Sequence, residues 1–314
     1  MNTFTNKEIS GKYIEMEEYN IETGEIREYY MPDEDEEDNT CMEYTKFDNH
    51  NVSKDIDDDS VILGSIIGKD TREIVEETTR VPYKYIGYIV VTYQSTNSGA
   101  YSIPSTAFLV GHSTILTTAH SVHNKNKDDK LVSIKFYPEQ NGYTNRPFEY
   151  DGYILHVPKK YKNATTNEAK LKYDYALVEL KQKAGSKLGY FNLAGYNTSY
   201  NENYLVGKDV TVVGYAEDKN GKLCRSKGPV LRFNEGNYSF EYDMDTNKRQ
   251  SGSPIILPLS GGKYYVVGIH YLGKEDTSKM NEEEKKKAVL HNRARYITKN
   301  IYDLVKKYSN GTNS

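Results

Sequence analysis

The chain has 314 residues, a formal net charge of −4 and 37% hydrophobic residues, enough for one large domain or two small ones. No apolar run approaches the length that spans a bilayer, so no membrane partner is expected. Thirty tyrosines offset the low aliphatic content, because a tyrosine ring fills a core while its hydroxyl keeps a polar partner.

Charge is divided unevenly along the chain. Residues 1–64 hold 19 acidic and 5 basic side chains, a net of −14, which leaves +10 for residues 65–314. The acidic runs Asp33–Asp38 and Asp55–Asp59 repel themselves, so residues 1–64 are expected to be a largely disordered acidic leader. Within it, the more mixed stretch Ile9–Tyr30 has room for a short hairpin around Thr23-Gly24. Neither acidic run has the ligand spacing and glycine of a calcium loop. The N-terminus shows no apolar core of a secretory signal. Cys41 and Cys224 are the only cysteines; a disulfide between them is not expected, and two cysteines without a histidine cluster make no zinc site. The basic remainder carries no recognisable nucleic-acid module, so no nucleic-acid partner is expected.

From Pro82 onward the pattern is β. Ile86–Tyr93, Thr106–Val110, Ser113–Thr118, Leu131–Tyr137 and Tyr173–Leu180 read as one group of strands. Asn97-Ser98-Gly99 reads as a turn, Asn124–Lys130 and Lys159–Lys172 as charged loops. Asp209–Tyr215, Leu223–Phe233, Asn237–Tyr242, Pro254–Pro258 and Lys263–Tyr271 form a second group. Glu282–Ala288 reads as a short charged helix. In Thr298–Tyr308, Ile301, Leu304, Val305 and Tyr308 line one face of a terminal helix.

Three local contexts carry chemistry. The first is Phe108–His120, two apolar runs flanking a turn and ending Thr-Ala-His, which singles out His120 over His112 and His123 as a general base. The second is Asp174, at the mouth of a strand that alternates Ala176, Val178 and Leu180; it suits a carboxylate that orients an imidazole. The third is Gln250-Ser251-Gly252-Ser253-Pro254, a tight turn of small residues before Ile255-Ile256-Leu257. Such a turn aims the N–H of a nucleophilic serine at a developing oxyanion. Ser251 is the candidate nucleophile, with Ser253 a residue of the turn. The order His, Asp, Ser is that of the two-barrel serine hydrolases.

With these residues in place, the chain resembles serine proteases of the chymotrypsin clan, and within it the bacterial glutamyl endopeptidases (the V8-like group). Ile66–Arg72 with Val75, Thr78 and Pro82-Tyr83 resembles the start of the mature enzymes. Tyr242–Thr246 resembles their approach to the nucleophile, Val267–His270 their specificity strand, and Asn292–Thr298 their C-terminal region. The similarity runs over about residues 66–308.

The resemblance implies an all-β fold of two six-stranded antiparallel barrels, at roughly 82–190 and 200–298, closed by a C-terminal helix at 298–308. The leader 1–64 would be the pro-segment of a zymogen, and 65–314 the protease domain. It implies a secreted, cofactor-free, monomeric endopeptidase acting on protein or peptide substrates, with its own pro-segment as a further partner. Thr246 and His270 match the positions that grip an acidic side chain before the scissile bond. The oxyanion donors would be the N–H groups of Ser251 and Arg249. Here the chain departs from the family, which has Gly-Gly where this sequence has Lys248-Arg249. A side chain resists backbone angles that glycine permits. Two outcomes are open: a flipped peptide and an impaired, binding-only protein, or an unchanged backbone with Arg249 over the cleft. A third reading keeps the chemistry but not the acidic specificity.

Overall fold

The computed structural model describes residues 13–33, 66, 69–123, 129–194, 202–234, 238–259, 261–274, 280–281 and 291–309. Its strands are β1 (Tyr13–Asn20), β2 (Ile26–Pro32), β3 (Glu73–Ile74), β4 (Ile86–Ser95), β5 (Gly99–Leu109), β6 (Thr114–Thr117), β7 (Lys130–Pro138) and β8 (Tyr150–Pro158). They continue with β9 (Ala176–Leu180), β10 (Asn192–Leu193), β11 (Asp209–Tyr215), β12 (Leu223–Asn234), β13 (Ser239–Tyr242), β14 (Pro254–Leu259), β15 (Lys263–Leu272) and β16 (Asn292–Tyr296).

Two antiparallel barrels result. The order β8-β7-β4-β5-β6-β9 closes through a β8–β9 pairing, and β15-β14-β11-β12-β13-β16 closes through β15–β16. Closure removes the open edges that a flat sheet would expose. In β4 burial follows the pleat from Ile89 through Val91 to Tyr93, whereas β6 is buried on both faces, so Ile115 and Leu116 pack on opposite sides of the sheet. One apolar cluster runs on into the second barrel through Val213, Tyr215, Leu223, Ile256 and Ile269. Site residues at the junction are therefore held by packing from both sides. The C-terminal helix, Lys299–Tyr308, buries Ile301, Leu304, Val305 and Tyr308, the face read from the sequence. The Ser309 carbonyl accepts from the His112 N–H and ties the helix end to the first barrel.

The expected double barrel with its end helix is thus present, with differences in detail. β8 and β16 were not read as strands; both carry polar residues on buried surfaces, including His156 and Arg295. β5 starts at Gly99 rather than Thr106. The loop Lys159–Lys172 holds two short helices, Lys159–Lys162 and Asn167–Lys172. The largest difference lies in the leader. Residues 13–33 are an ordered hairpin, β1–β2, added to the edge of β8 beyond the end of β7. The leader as a whole is not disordered: its mixed stretch forms the hairpin read around Thr23-Gly24, because Ile14, Met16, Ile21 and Met31 bury against the barrel. The acidic runs after Asp33, Cys41, most of the loop 124–130 and the helix expected at 282–288 lie outside the described residues.

Cys224 is fully buried, its thiol directed at the Gly214 carbonyl (3.3 Å), and burial pushes its pKa up to about 11. A buried, protonated thiol is a poor nucleophile. In a Cys41→Ser variant at pH 8, Ellman's reagent should react with no thiol in the native protein and with one after unfolding in guanidinium; fast labelling of native protein would contradict this burial.

Candidate active site

His120 lies in the short helix Ala119–Val122 that follows β6, and Asp174 in the turn that leads into β9. The β6–β9 pairing brings the two together (Thr117↔Ala176). Asp174 grips His120 twice: Oδ2 is 2.6 Å from Nδ1, and Oδ1 accepts the His120 backbone N–H at 2.9 Å. Because a carboxylate only accepts, Nδ1 carries the proton and Nε2 presents its lone pair. Asp174 is 2% exposed. His120 Nε2 is buried with no hydrogen-bond partner among the described residues. It is thus not hydrogen-bonded to Ser251 Oγ in this state; such contacts commonly tighten when substrate binds.

The loop 246–253 is the other half of the site. Four of its eight amides are engaged: Asn247 N–H with Gln250 Oε1, Gln250 N–H with the Asn247 carbonyl, Gly252 N–H with the His270 carbonyl and Ser253 N–H with the Gln250 carbonyl. Within 249–253 the N–H groups of Arg249 and Ser251 alone find no acceptor among the described residues. Those are the two that the sequence reading singled out as oxyanion donors.

Arg249 adopts φ +72°, the left-handed conformation that glycine takes without cost. The backbone at this departure from the family is therefore of the glycine type. Its neighbours fix it there. The Lys248 carbonyl accepts from the Glu217 N–H at 2.9 Å, which turns the Arg249 N–H to the opposite side of that peptide. The Arg249 carbonyl accepts from Thr106 Oγ1 at 3.0 Å. The guanidinium binds Tyr143 Oη at 2.7 Å and Glu217 Oε1 at 2.8 Å, so it is held to the side by two partners.

Residues that the sequence reading missed dock this loop on β5. The Ser251 carbonyl accepts from the Thr106 N–H (3.0 Å) and from Ser105 Oγ (2.7 Å). Ser105 Oγ also meets Ser121 Oγ at 2.7 Å, and Ser121 Oγ meets Thr118 Oγ1 at 2.7 Å. A buried hydroxyl chain thus joins the candidate nucleophile's carbonyl to the helix that carries His120. Gly252, at φ +82°, packs directly on the Thr106 carbonyl and the Thr117 hydroxyl, leaving no room for a Cβ. No motif marks Ser105, Thr106, Thr118 or Ser121, because their role depends on which strands meet.

His270 sits on β15 beside the loop, its N–H donating to the Ser253 carbonyl at 2.9 Å. Its ring is buried, with Nδ1 2.5 Å from Tyr242 Oη. Burial, with His120 nearby, pushes its pKa down to about 3, so the ring is neutral at ordinary pH. Burial also pushes the Tyr242 phenol well above its usual range. A protonated phenol donating to Nδ1 leaves the ring proton on Nε2. Thr246 is fully buried and donates to Asn292 Oδ1 at 2.8 Å. Asn292 in turn donates to the Met244 carbonyl and accepts from the Lys274 N–H. A threonine has a single hydroxyl proton, and here Asn292 holds it. The segment before β3 reaches the same corner: the Thr71 N–H and hydroxyl both donate to Asp245 Oδ2, at 2.9 and 2.7 Å. Among the described residues no group of three or more His, Cys, Asp or Glu side chains is placed to hold a metal ion.

The fold and this site define the class: two closed antiparallel barrels with a His–Asp pair tied, through Ser121 and Ser105, to a serine turn. Comparison with known proteins agrees. Residues 105–269 match the family described as trypsin-like peptidase domain, and the chain belongs to that family. It is 32% identical over 196 residues to the glutamyl endopeptidase of Bacillus licheniformis, covering 62% of this chain and 55% of that protein. It is 29% identical over 209 residues to a Bacillus subtilis protein named extracellular metalloprotease, covering 67% of this chain and 63% of that one. The chain thus spans between a half and two thirds of the length of these relatives. Among solved structures, a Glu endopeptidase bound to MPD superimposes with a TM-score of 0.60 at 22% identity, covering 78% of this chain and 99% of that one. The protease Anisep of Arthrobacter nicotinovorans gives a TM-score of 0.55 at 14% identity, covering 76% and 99%.

Two predictions test this geometry. Arg249→Gly should be more stable than Arg249→Ala by about 1 kcal/mol, because only glycine accepts φ +72° without strain; urea unfolding of the pair measures it. His270 makes stability pH-dependent. Its folded value of about 3 lies below the 6.5 of an ordinary imidazole, so the unfolded chain binds the proton more readily. The stability that the neutral ring contributes is complete above pH 6.5 and is lost as pH falls towards 3. Unfolding free energies between pH 7 and 4 should fall more steeply in the parent than in His270→Leu, and parallel slopes would exclude this role.

Proposed function

We propose that the protein is a serine endopeptidase that cuts after Glu and less well after Asp, secreted and made as a zymogen. Ser251 Oγ attacks the scissile carbonyl while its proton passes to His120 Nε2. Asp174 keeps the proton on Nδ1 and stabilises the imidazolium. The N–H groups of Arg249 and Ser251 receive the oxyanion. Collapse of the tetrahedral intermediate breaks the C–N bond, and His120 returns its proton to the leaving amine. Water, activated by His120, then repeats the sequence on the acyl-enzyme and frees the carboxylic acid.

One observation supports the reading: a His–Asp pair with Nε2 unengaged is joined, through Ser121 and Ser105, to a turn in which the amides of residues 249 and 251 have no acceptor among the described residues. It also weighs against an impaired protein, because the Lys248 carbonyl is tied back to Glu217 rather than turned into the cleft. Losing one such donor costs about 10²–10³-fold in turnover.

Acidic specificity is supported by the name of the B. licheniformis relative and by the place of His270 beside the loop; its ring N–H, which also bonds to the Arg293 backbone, would have to be shared with a substrate carboxylate. Thr246 would contribute less, since its proton is held by Asn292. Residues 65–66 lie a few positions before Thr71, itself bonded to Asp245 beside Thr246; a new N-terminus formed there would approach the same pocket. Secretion is supported by the name of the B. subtilis relative. The enzyme would act as a monomer on protein or peptide substrates.

Cleavage-site profiling of a peptide library, with fluorophosphonate labelling in parallel, tests the reading. Protein cleaved before residue 65 or 66 should cut after Glu and take the label at Ser251, the uncleaved parent should do so far less, and cleaved Ser251→Ala should do neither. His270→Leu should keep the label but lose roughly 10- to 100-fold in kcat/KM on Glu substrates, the worth of one charge-assisted hydrogen bond, and Thr246→Val should lose less. Folded protein cleaved before residue 65 or 66 that takes no label would refute the enzyme reading, and labelled protein that cuts elsewhere would refute only the specificity.

A further inference from the structure

The hairpin β1–β2 occupies a site that the protease reading does not need. β8 pairs with β7 only at Tyr150 and Asp151; from Ile154 to Pro158 that edge is taken by β1, in the register Asn20↔Ile154 to Met16↔Pro158. Ile14 and Met16 are fully buried beneath it, and Ile21 and Met31 nearly so.

Lysines frame the seat and acidic residues of the hairpin meet them. Lys159 Nζ is 2.8 Å from Glu15 and 2.7 Å from Glu28. Lys162 Nζ is 2.6 Å from Glu17, and Lys181 Nζ is 2.5 Å from Glu22. Asp33, 1% exposed, is bonded by Lys160 Nζ and by Asn300 Nδ2 of the C-terminal helix, each at 2.8 Å.

The hairpin also completes buried groups of the barrel. His156 is fully buried, with Nε2 bonded to Glu179 and its ring stacked 4.1 Å from that of Tyr308. Its Nδ1 is bonded by Tyr29 of the hairpin at 3.1 Å. Without Tyr29 that nitrogen would be a buried polar atom with its partner gone, which is costly. Lys160 also bonds the hydroxyl of Tyr173, the neighbour of Asp174, so Asp33 is linked through Lys160 to the residue before a candidate triad member.

We propose that the edge of β8, with Lys159, Lys160 and Lys162, is a docking site for the chain's own acidic hairpin, and that residues 13–33 remain bound as a working part of the catalytic domain when the connection to residue 66 is cut. Removal of a leader, which rests on the zymogen reading, then yields a two-chain protein rather than one that has lost its first 64 residues. The docking itself stands whether or not the protein cleaves after Glu.

The test uses the full chain carrying Ser251→Ala, so that no self-digestion intervenes, with a recognition sequence for a site-specific protease inserted between residues 50 and 51. After complete nicking, native mass spectrometry and size exclusion at micromolar concentration should find both fragments in one particle, parting only in denaturant. Separation under native conditions, whether or not the larger fragment stays folded, would overturn the proposal. Charge reversal tests the seat: Lys159→Glu with Lys162→Glu should raise the dissociation constant of the nicked pair about tenfold or more, and adding Glu15→Lys, Glu17→Lys and Glu28→Lys should restore most of it. Reversal without effect would show that the lysines do not form the site.

Discussion

The docking of the 246–253 loop on β5 is the contact on which the rest of the site depends. Ser105 and Thr106 hold the Ser251 carbonyl with two hydrogen bonds, and Thr106 Oγ1 alone connects three elements. It donates to the Arg249 carbonyl and accepts from the Tyr215 N–H of β11, both at 3.0 Å, while its own carbonyl accepts from Thr117. The first barrel thus fixes the backbone of a loop that belongs to the second. Ser105, Thr106, Thr117 and Tyr215 are buried and the Ser251 and Arg249 carbonyls partly so, so these groups would be expensive to leave unpaired. Side chains from separate barrels can keep a reactive geometry only if such a seam does not slide. The hydroxyl chain Ser105–Ser121–Thr118 extends the seam to the helix carrying His120.

Arg249 shows how a position that suits glycine accepts a charged residue. The left-handed φ is unfavourable for a side chain, by about 1 kcal/mol. Against that stand two carbonyl anchors, from Glu217 and Thr106, and a guanidinium bonded to Tyr143 and Glu217. Tyr143 and Thr106 belong to the first barrel's half of the chain and Glu217 to the second. The arginine is therefore a further clasp across the junction. Its backbone N–H has no acceptor among the described residues, while the Lys248 and Arg249 carbonyls and the guanidinium all have partners elsewhere.

The His120, Asp174 and Ser251 contexts were legible in the sequence because each sits where an apolar strand meets a turn, and local pattern reports such junctions. The barrels were legible for the same reason: Ala176, Val178 and Leu180 recur at the period of one strand face, although the structure buries Leu177 on the other face as well. β16 was not, since Asn-Arg-Ala-Arg-Tyr reads as surface. Asn292 and Arg295 are buried there because Thr246, the Met244 carbonyl and the Tyr238 carbonyl satisfy them. Those partners lie some fifty residues away, and nothing local encodes them. Ser105 and Ser121 escaped notice likewise: a serine in a strand and a serine after a histidine acquire meaning only once β5 and the helix after β6 are adjacent.

The leader makes the same point from the side of electrostatics. Its charge of −14 against +10 for the remainder argues for attraction, but bulk charge has no address. A cleft that favours acidic side chains is one place for such a segment, and the hairpin is elsewhere: among the described residues its hydrogen bonds and ion pairs go to β8 and its neighbours, to Leu131 and to the C-terminal helix, none to residues 246–253. What selects this seat is backbone geometry. β7 leaves β8 after two paired residues, and the exposed edge beyond it needs donors and acceptors that only another strand supplies. Ile14 and Met16, alternating with Glu15 and Glu17, give that strand one apolar face for the barrel and one acidic face for the lysines of the helix that follows β8. Charge then reinforces a register that hydrogen bonding and burial have already chosen, since partly exposed ion pairs are individually weak.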